Sequence, residues 1–148
     1  MSKIILACCL VYLPLRHLQL TSGYGYRLHP LTGRYAFHQG IDLRARSDTV
    51  FAVLSGKVEA SAYEHLLGFY IRLDHGDFQT LYGHLSQLFV LEDDSVVAGM
   101  PLGITGHSGR VTGEHLHFAV SYRHRAIDPL KFLTLLTNFN SNHKETKQ

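Results

Sequence analysis

The chain has 148 residues, 45% hydrophobic and 18% charged, the size and balance of one folded domain with a real core. A formal charge of +2 gives no support to nucleic-acid binding, and no apolar run reaches the ~18 residues that a membrane span needs. The two cysteines, Cys8 and Cys9, are adjacent, so neither a disulfide framework nor a cysteine zinc site is indicated.

Residues 1–20, "MSKIILACCLVYLPLRHLQL", place Lys3 ahead of an apolar stretch that Pro14 and Arg16 interrupt. No small-x-small cleavage site follows, so the segment reads either as an N-terminal strand over residues 10–20 or as a vestigial, non-standard signal-like segment. Beyond it, short β-rich runs are punctuated by glycine. "TVFAVLSGKVEASA" (49–62) has two apolar runs about Ser55-Gly56, a hairpin or bulge signal. "GFYIRLDHG" (68–76) alternates apolar and polar residues and ends in a turn, and "FQTLYGHLS" (78–86) is expected to pair with it antiparallel. "MPLGITGHSG" (100–109) holds a short strand and "EHLHFAVSY" (114–122) the last strong one. In "DPLKFLTLLTNF" (128–139), Asp128 is placed to cap a helix, Pro129 to start it, and the leucines recur at helical spacing. Residues 140–148 form a polar tail. No repeat or linker divides residues 21–139, so a single antiparallel β-sheet or sandwich domain, mainly β with a short C-terminal helix, is expected.

Eleven histidines make metal or acid–base chemistry worth testing. On a strand, alternate side chains share a face, so His115 and His117 point one way and Leu116 and Phe118 the other. Glu114 falls on the face opposite His115. In "FHQGIDL", His38 and Asp42 stand four apart around Gly40, in a segment whose pattern is extended or irregular, where i and i+4 again share a side. Zinc takes imidazole nitrogen and carboxylate oxygen readily, and a catalytic zinc keeps three protein ligands with one open position. His38, Asp42 and one further histidine would make such a set. His84, in "LYGHLS", lies on an expected strand. Plainer explanations exist for each: a surface His–Asp hydrogen bond, a capped core histidine, a solvent-facing pair. His29, His65, His75, His107 and His124 read as surface or loop residues. A zinc deaminase would want His-x-Glu with Cys-x-x-Cys, and those cysteines are missing.

The stretches "TSGYGYRLHPLTG", "FHQGIDL", "LYGHLS", "GRVTGEHLHFAV" and "DPLKFL" occur in an order and approximate spacing that resembles the lysostaphin-like, or LytM-type, zinc metallopeptidases, over residues 21–132. The resemblance implies a fold of the duplicated hybrid motif type, with residues 21–139 as the peptidase domain. It implies one Zn²⁺ held by His38, Asp42 and His117, with His84 and His115 as the catalytic pair. The implied activity is endopeptidase hydrolysis of peptidoglycan cross-bridges or stem peptides, with zinc-activated water as nucleophile. Glycine-rich segments would wall a narrow groove lined by Tyr24, Tyr26, Arg27 and Arg110, the arginines meeting a stem-peptide carboxylate. The substrate class places the chain in the cell envelope, periplasmic or extracellular, with a regulatory or targeting protein as a further partner. Two alternatives stay open: a non-hydrolytic wall-binding or amidase-activating module, and a wall-opening hydrolase of a secretion or conjugation system.

Overall fold

A computed structural model describes residues 10–144, so Lys3, Cys8 and Cys9 lie outside the described residues. The elements, in chain order, are β1 (Leu20–Ser22), β2 (Gly25–Leu28), β3 (Tyr35–His38), β4 (Gly40–Arg44), β5 (Thr49–Phe51) and β6 (Gly56–Glu64). They continue with β7 (Gly68–Asp74), β8 (Phe78–Leu88), β9 (Ser95–Val96), β10 (Pro101–Thr105), β11 (His115–Tyr122), β12 (Arg125–Ile127) and helix α1 (Pro129–Lys144). Ten strands join one sheet along the path β1-β4-β11-β8-β7-β6-β9, with β10 bridging β5 and β8 and β12 on β11; β2 and β3 form a separate ribbon. All the pairings are antiparallel. The chain is mainly β with one C-terminal helix, as its patterning predicts.

Period-2 alternation builds the core. On β11, Leu116, Phe118 and Val120 are buried, while His115, His117, Ala119 and Ser121 on the other face are half-buried. Phe118 packs beside Tyr82 of β8, with ring centroids 5.4 Å apart, and Ile71, Leu73 and Leu85 are equally sealed from solvent. β7 and β8 pair as expected through the turn at Gly76, where φ is +98°.

Three elements differ from the sequence reading. Residues 10–19 are not a strand; β1 begins only at Leu20. Pro14 lacks an N–H and cannot serve a continuous ladder. The segment instead makes separate bonds, Tyr12 N–H to Val53 and Phe51 N–H to the Pro14 carbonyl, and buries Leu15. The runs flanking Ser55-Gly56 do not form a hairpin. β5 pairs with β10, and β6 pairs with β7 and β9. Gly56 is needed for close approach: a Cβ there would lie 2.2 Å from the Asp74 carbonyl oxygen. Finally, α1 runs to Lys144, past Phe139, with the hydroxyls of Thr134, Thr137 and Ser141 bonded back to carbonyls one turn earlier.

His75 is not a plain surface residue either. Its Nδ1 donates to the Ser55 carbonyl at 2.8 Å and its Nε2 meets Thr80 Oγ1 at 2.8 Å. Thr80 lies 3.1 Å from the Tyr82 hydroxyl, which accepts the Val53 N–H at 3.0 Å. This chain of bonds ties the loop after β5 to the β7–β8 hairpin. Burial lowers the His75 pKa from its ordinary 6.5, outweighing the Ser55 bond and Asp74, which raise it. The neutral ring therefore stabilises the fold above pH 6.5, and that contribution is lost as pH falls through the lowered folded value. His75→Ala is expected to cost about 1–3 kcal/mol at pH 8. Urea unfolding as a function of pH checks this: the parent should lose stability more steeply than the variant below neutrality.

Candidate active site

The site is assembled on three adjacent strands, β4, β11 and β8. His117 of β11 lies directly opposite Asp42 of β4 and Gly83 of β8. Its Nδ1 is 2.9 Å from Asp42 Oδ1. His38 follows the irregular of the two conformations that the sequence leaves open. It ends β3 in the separate ribbon, and Gln39 turns the corner into β4, so His38 and Asp42 do not share one extended segment. They meet across that corner, with His38 Nε2 3.3 Å from Asp42 Oδ1 and 3.3 Å from His117 Nδ1.

One donor atom from each of His38, Asp42 and His117 lies within 4.8 Å of the others, so the three residues can hold a metal ion. The local architecture fits that task. His38 Nδ1 donates to the Gly23 carbonyl at 2.8 Å, which fixes the tautomer and leaves the Nε2 lone pair aimed at the group. Gly40 leaves room for the His117 ring; a Cβ would lie 2.8 Å from its Cε1 and 2.6 Å from the Phe118 carbonyl oxygen. Burial alone would raise the Asp42 pKa. Hydrogen bonds and charge from His117 and His38 overcome it and hold the carboxyl well below the usual carboxylate range.

Two more imidazoles face the same place. His115 Nε2 is 3.6 Å from Asp42 Oδ1, and its Nδ1 donates to the Gly113 carbonyl at 2.9 Å. His84 Nδ1 donates to the Ser108 carbonyl at 2.9 Å, and its ring packs edge-on to His115 with centroids 4.8 Å apart. Both anchored rings carry their proton on Nδ1 and present an Nε2 lone pair to the cleft. Burial, reinforced by the neighbouring His115 and His117 and opposed by the Ser108 bond, pushes the His84 pKa down to about 4. His84 is therefore neutral at physiological pH.

A feature that sequence reasoning missed is the strain at His84. Its φ is +61°, in the left-handed region, although it sits inside β8. There β8 changes partner: residues 78–83 pair with β11, and residues 85–88 pair with β10. The pairing with β7 shifts register at the same point. Such a bulge re-aims one side chain out of the regular alternation, and strain of this kind is held by surrounding structure at functional sites. The only local signal is the glycine before it.

A cleft of about 600 Å³ opens over these side chains. His38, Asp42, His84, His115 and His117 all line it, as do Arg27, Arg110 and the unforeseen His29, Leu66 and Leu67. Tyr24 and Tyr26 are not among its lining residues. Tyr24 donates its hydroxyl to the Ala126 carbonyl and packs edge-on to Phe37. Tyr26 stacks on Tyr35 on the outer face of the ribbon. Glu114 also turns away, accepting bonds from Ser47 N–H and the Thr105 hydroxyl. His65, His107 and His124 are exposed.

Comparison with known proteins gives the family. The family model for peptidase family M23 matches residues 36–129, which contain all five site residues. The chain is 35% identical over 130 residues to peptidoglycan DD-endopeptidase ShyB of Vibrio cholerae, a match covering 85% of this chain and 30% of that protein. The crystal structure of a zinc-containing peptidase from Vibrio cholerae superposes with a TM-score of 0.70 at 35% identity, over 74% of this chain and 35% of that one. The catalytic domain of lysostaphin from Staphylococcus simulans superposes with a TM-score of 0.72 at 30% identity, over 79% of this chain and 92% of that one. The chain spans about a third or less of the length of the curated relatives it matches. With the family model covering well over half of its residues, the chain belongs to peptidase family M23.

Proposed function

We propose that this chain is a zinc-dependent endopeptidase that hydrolyses peptide bonds in peptidoglycan and acts in the cell envelope. The observation that carries the reading is the convergence of His38, Asp42 and His117 beside two further imidazoles whose Nε2 atoms face one open cleft. Two imidazole nitrogens and a carboxylate oxygen are a donor set that zinc accepts with a position to spare. Bound there, zinc would supply Lewis acidity and lower the pKa of a water to about 7.

The chain's own residues would then handle protons. His115, held by the Gly113 carbonyl through Nδ1, takes a proton from the attacking water on Nε2 and returns it to the leaving amine. His84 presents its own Nε2 lone pair beside it and orients the water as an acceptor. Donation from His84 to a developing oxyanion requires a protonated ring, which burial opposes. The two rings pack edge-on with centroids 4.8 Å apart, so a positive charge on either disfavours one on the other.

Digestion of purified peptidoglycan by the chain, with and without a chelator, tests the reading. Soluble peptide fragments are expected without chelator, none with it, and recovery on adding zinc. Release that chelation leaves unchanged would refute the metal assignment. Binding to the wall without any fragment would make the chain a non-hydrolytic module.

A further inference from the structure

A second cavity, of about 530 Å³, lies between the segment that precedes β1 and the loop from β4 to β5. Arg16, Arg44 and Arg46 line it, together with His17, Asp48 and Phe51. Three guanidiniums against one carboxylate leave two positive charges, as large a surplus as the whole chain carries. Among the described residues, none of the three arginines forms an ion pair. Asp48 is taken up by its own turn, where its Oδ2 accepts the Arg46 backbone N–H at 2.8 Å. Like charges gathered on one cavity repel, and an anion bound among them relieves that repulsion.

Backbone bonds fix the walls and leave the guanidiniums free. Phe51 N–H donates to the Pro14 carbonyl at 3.0 Å and Arg44 N–H to the Gln19 carbonyl at 2.8 Å. On the other wall, Asp48 N–H donates to Thr105 Oγ1 at 2.8 Å, and Ser47 N–H to Glu114, which is not a lining residue. The Arg16 guanidinium carbon sits over the Phe51 ring, 6.0 Å from its centroid, at the outer limit of a cation–π contact. Arg44 follows Asp42 by two residues on β4, so it shares that face about 7 Å further along. β11 sets His115 directly opposite Arg44. The cavity therefore adjoins the catalytic cleft, with no lining residue in common.

We propose that this cavity binds a phosphate monoester, with Arg16, Arg44 and Arg46 meeting the phosphoryl oxygens and the rest of the cavity holding the organic part. A monoester carries about 1.5 to 2 negative charges at pH 7 and three strong acceptor oxygens, one for each guanidinium. A carboxylate supplies one charge and two oxygens. The guanidinium fork, with its paired N–H donors, suits phosphate oxygens in geometry as well as charge. Binding there needs neither a metal nor the hydrolytic reaction.

Inorganic phosphate titrated into the zinc-loaded, isotope-labelled chain tests this through amide NMR shifts, with acetate at equal ionic strength as the control anion. Phosphate is expected to shift the amides of residues 16–19 and 44–49 saturably, with a Kd about 10-fold or more below that of acetate. Arg44→Gln and Arg46→Gln should each weaken phosphate binding by about 3- to 10-fold, the lower part of the range for a charged hydrogen bond because these side chains are exposed. The double variant should bring phosphate down to the level of acetate, with circular dichroism matching the parent. Vesicles of phosphatidic acid, against phosphatidylcholine, distinguish the source of the group. Cosedimentation with phosphatidic acid alone assigns it to a lipid headgroup; the amide shifts without cosedimentation assign it to a soluble monoester. Shifts confined to the surroundings of His38 and His117, equal affinity for the two anions, or unchanged binding in both glutamine variants would each overturn the proposal.

Discussion

Alanine in place of His117 is expected to remove bound metal and hydrolysis together. The His117 Nδ1 is the donor nearest the Asp42 carboxylate, at 2.9 Å, and it faces His38 Nε2 at 3.3 Å. Without it, His38 and Asp42 remain, and two donors are too few to hold zinc in the manner of a three-ligand catalytic site. Loss of a hydrogen-bonded partner of a metal ligand typically costs about 10- to 100-fold in affinity, and loss of a ligand itself should exceed that. Elemental analysis after dialysis should find less than a tenth of the parental metal, with no fragments released from peptidoglycan. The neighbouring core side chains Leu116 and Phe118 face away, so the far-ultraviolet spectrum should match the parent. Full metal content in His117→Ala would contradict the assignment.

His115→Ala separates proton transfer from metal binding. This ring lies only two residues from His117 on the same face of β11, yet its Nε2 is 3.6 Å from Asp42 Oδ1 and lies outside the three-residue group. Metal content should therefore stay at the parental level. Turnover should fall by about 10²- to 10⁴-fold, the span that a positioned general base contributes, with kcat carrying most of the loss. Parental turnover in this variant would sink the role given to His115. Loss of metal as well would make it a ligand rather than a base.

The features of this site that the sequence makes legible are those governed by regular periodicity. Alternation along "EHLHFAV" places His115 and His117 over the cleft and Leu116 and Phe118 in the core, because one face of β11 is buried and fixes its register. It also places Glu114 away from the cleft. What periodicity cannot show is where a strand breaks its own rule. His84 reads as an ordinary strand residue, but a bulge with positive φ turns its ring beside His115, and only tertiary pairing with β10 and β11 explains it. His38 reads as the partner of Asp42 in a segment that is either extended or irregular, and the sequence does not show that the chain turns between them and joins two sheets. Long-range hydrogen bonds leave no local trace either. Tyr24 looks like a groove residue among glycines, but its hydroxyl bonds to Ala126, and His75 looks exposed, but it bonds to Ser55 and Thr80. Pairing of β5 with β10 rather than β6 belongs to the same class, a long-range partnership that the pattern of neither run shows.

The central claim is that His38, Asp42 and His117, distant along the chain, share one divalent ion. Anomalous diffraction from a crystal of the zinc-loaded chain, recorded on both sides of the zinc edge, addresses it directly. The account predicts a single peak about 2.0–2.2 Å from His38 Nε2, an Asp42 carboxylate oxygen and His117 Nδ1. A peak bound by other residues, or none at this group in a crystal that holds zinc elsewhere, would contradict it.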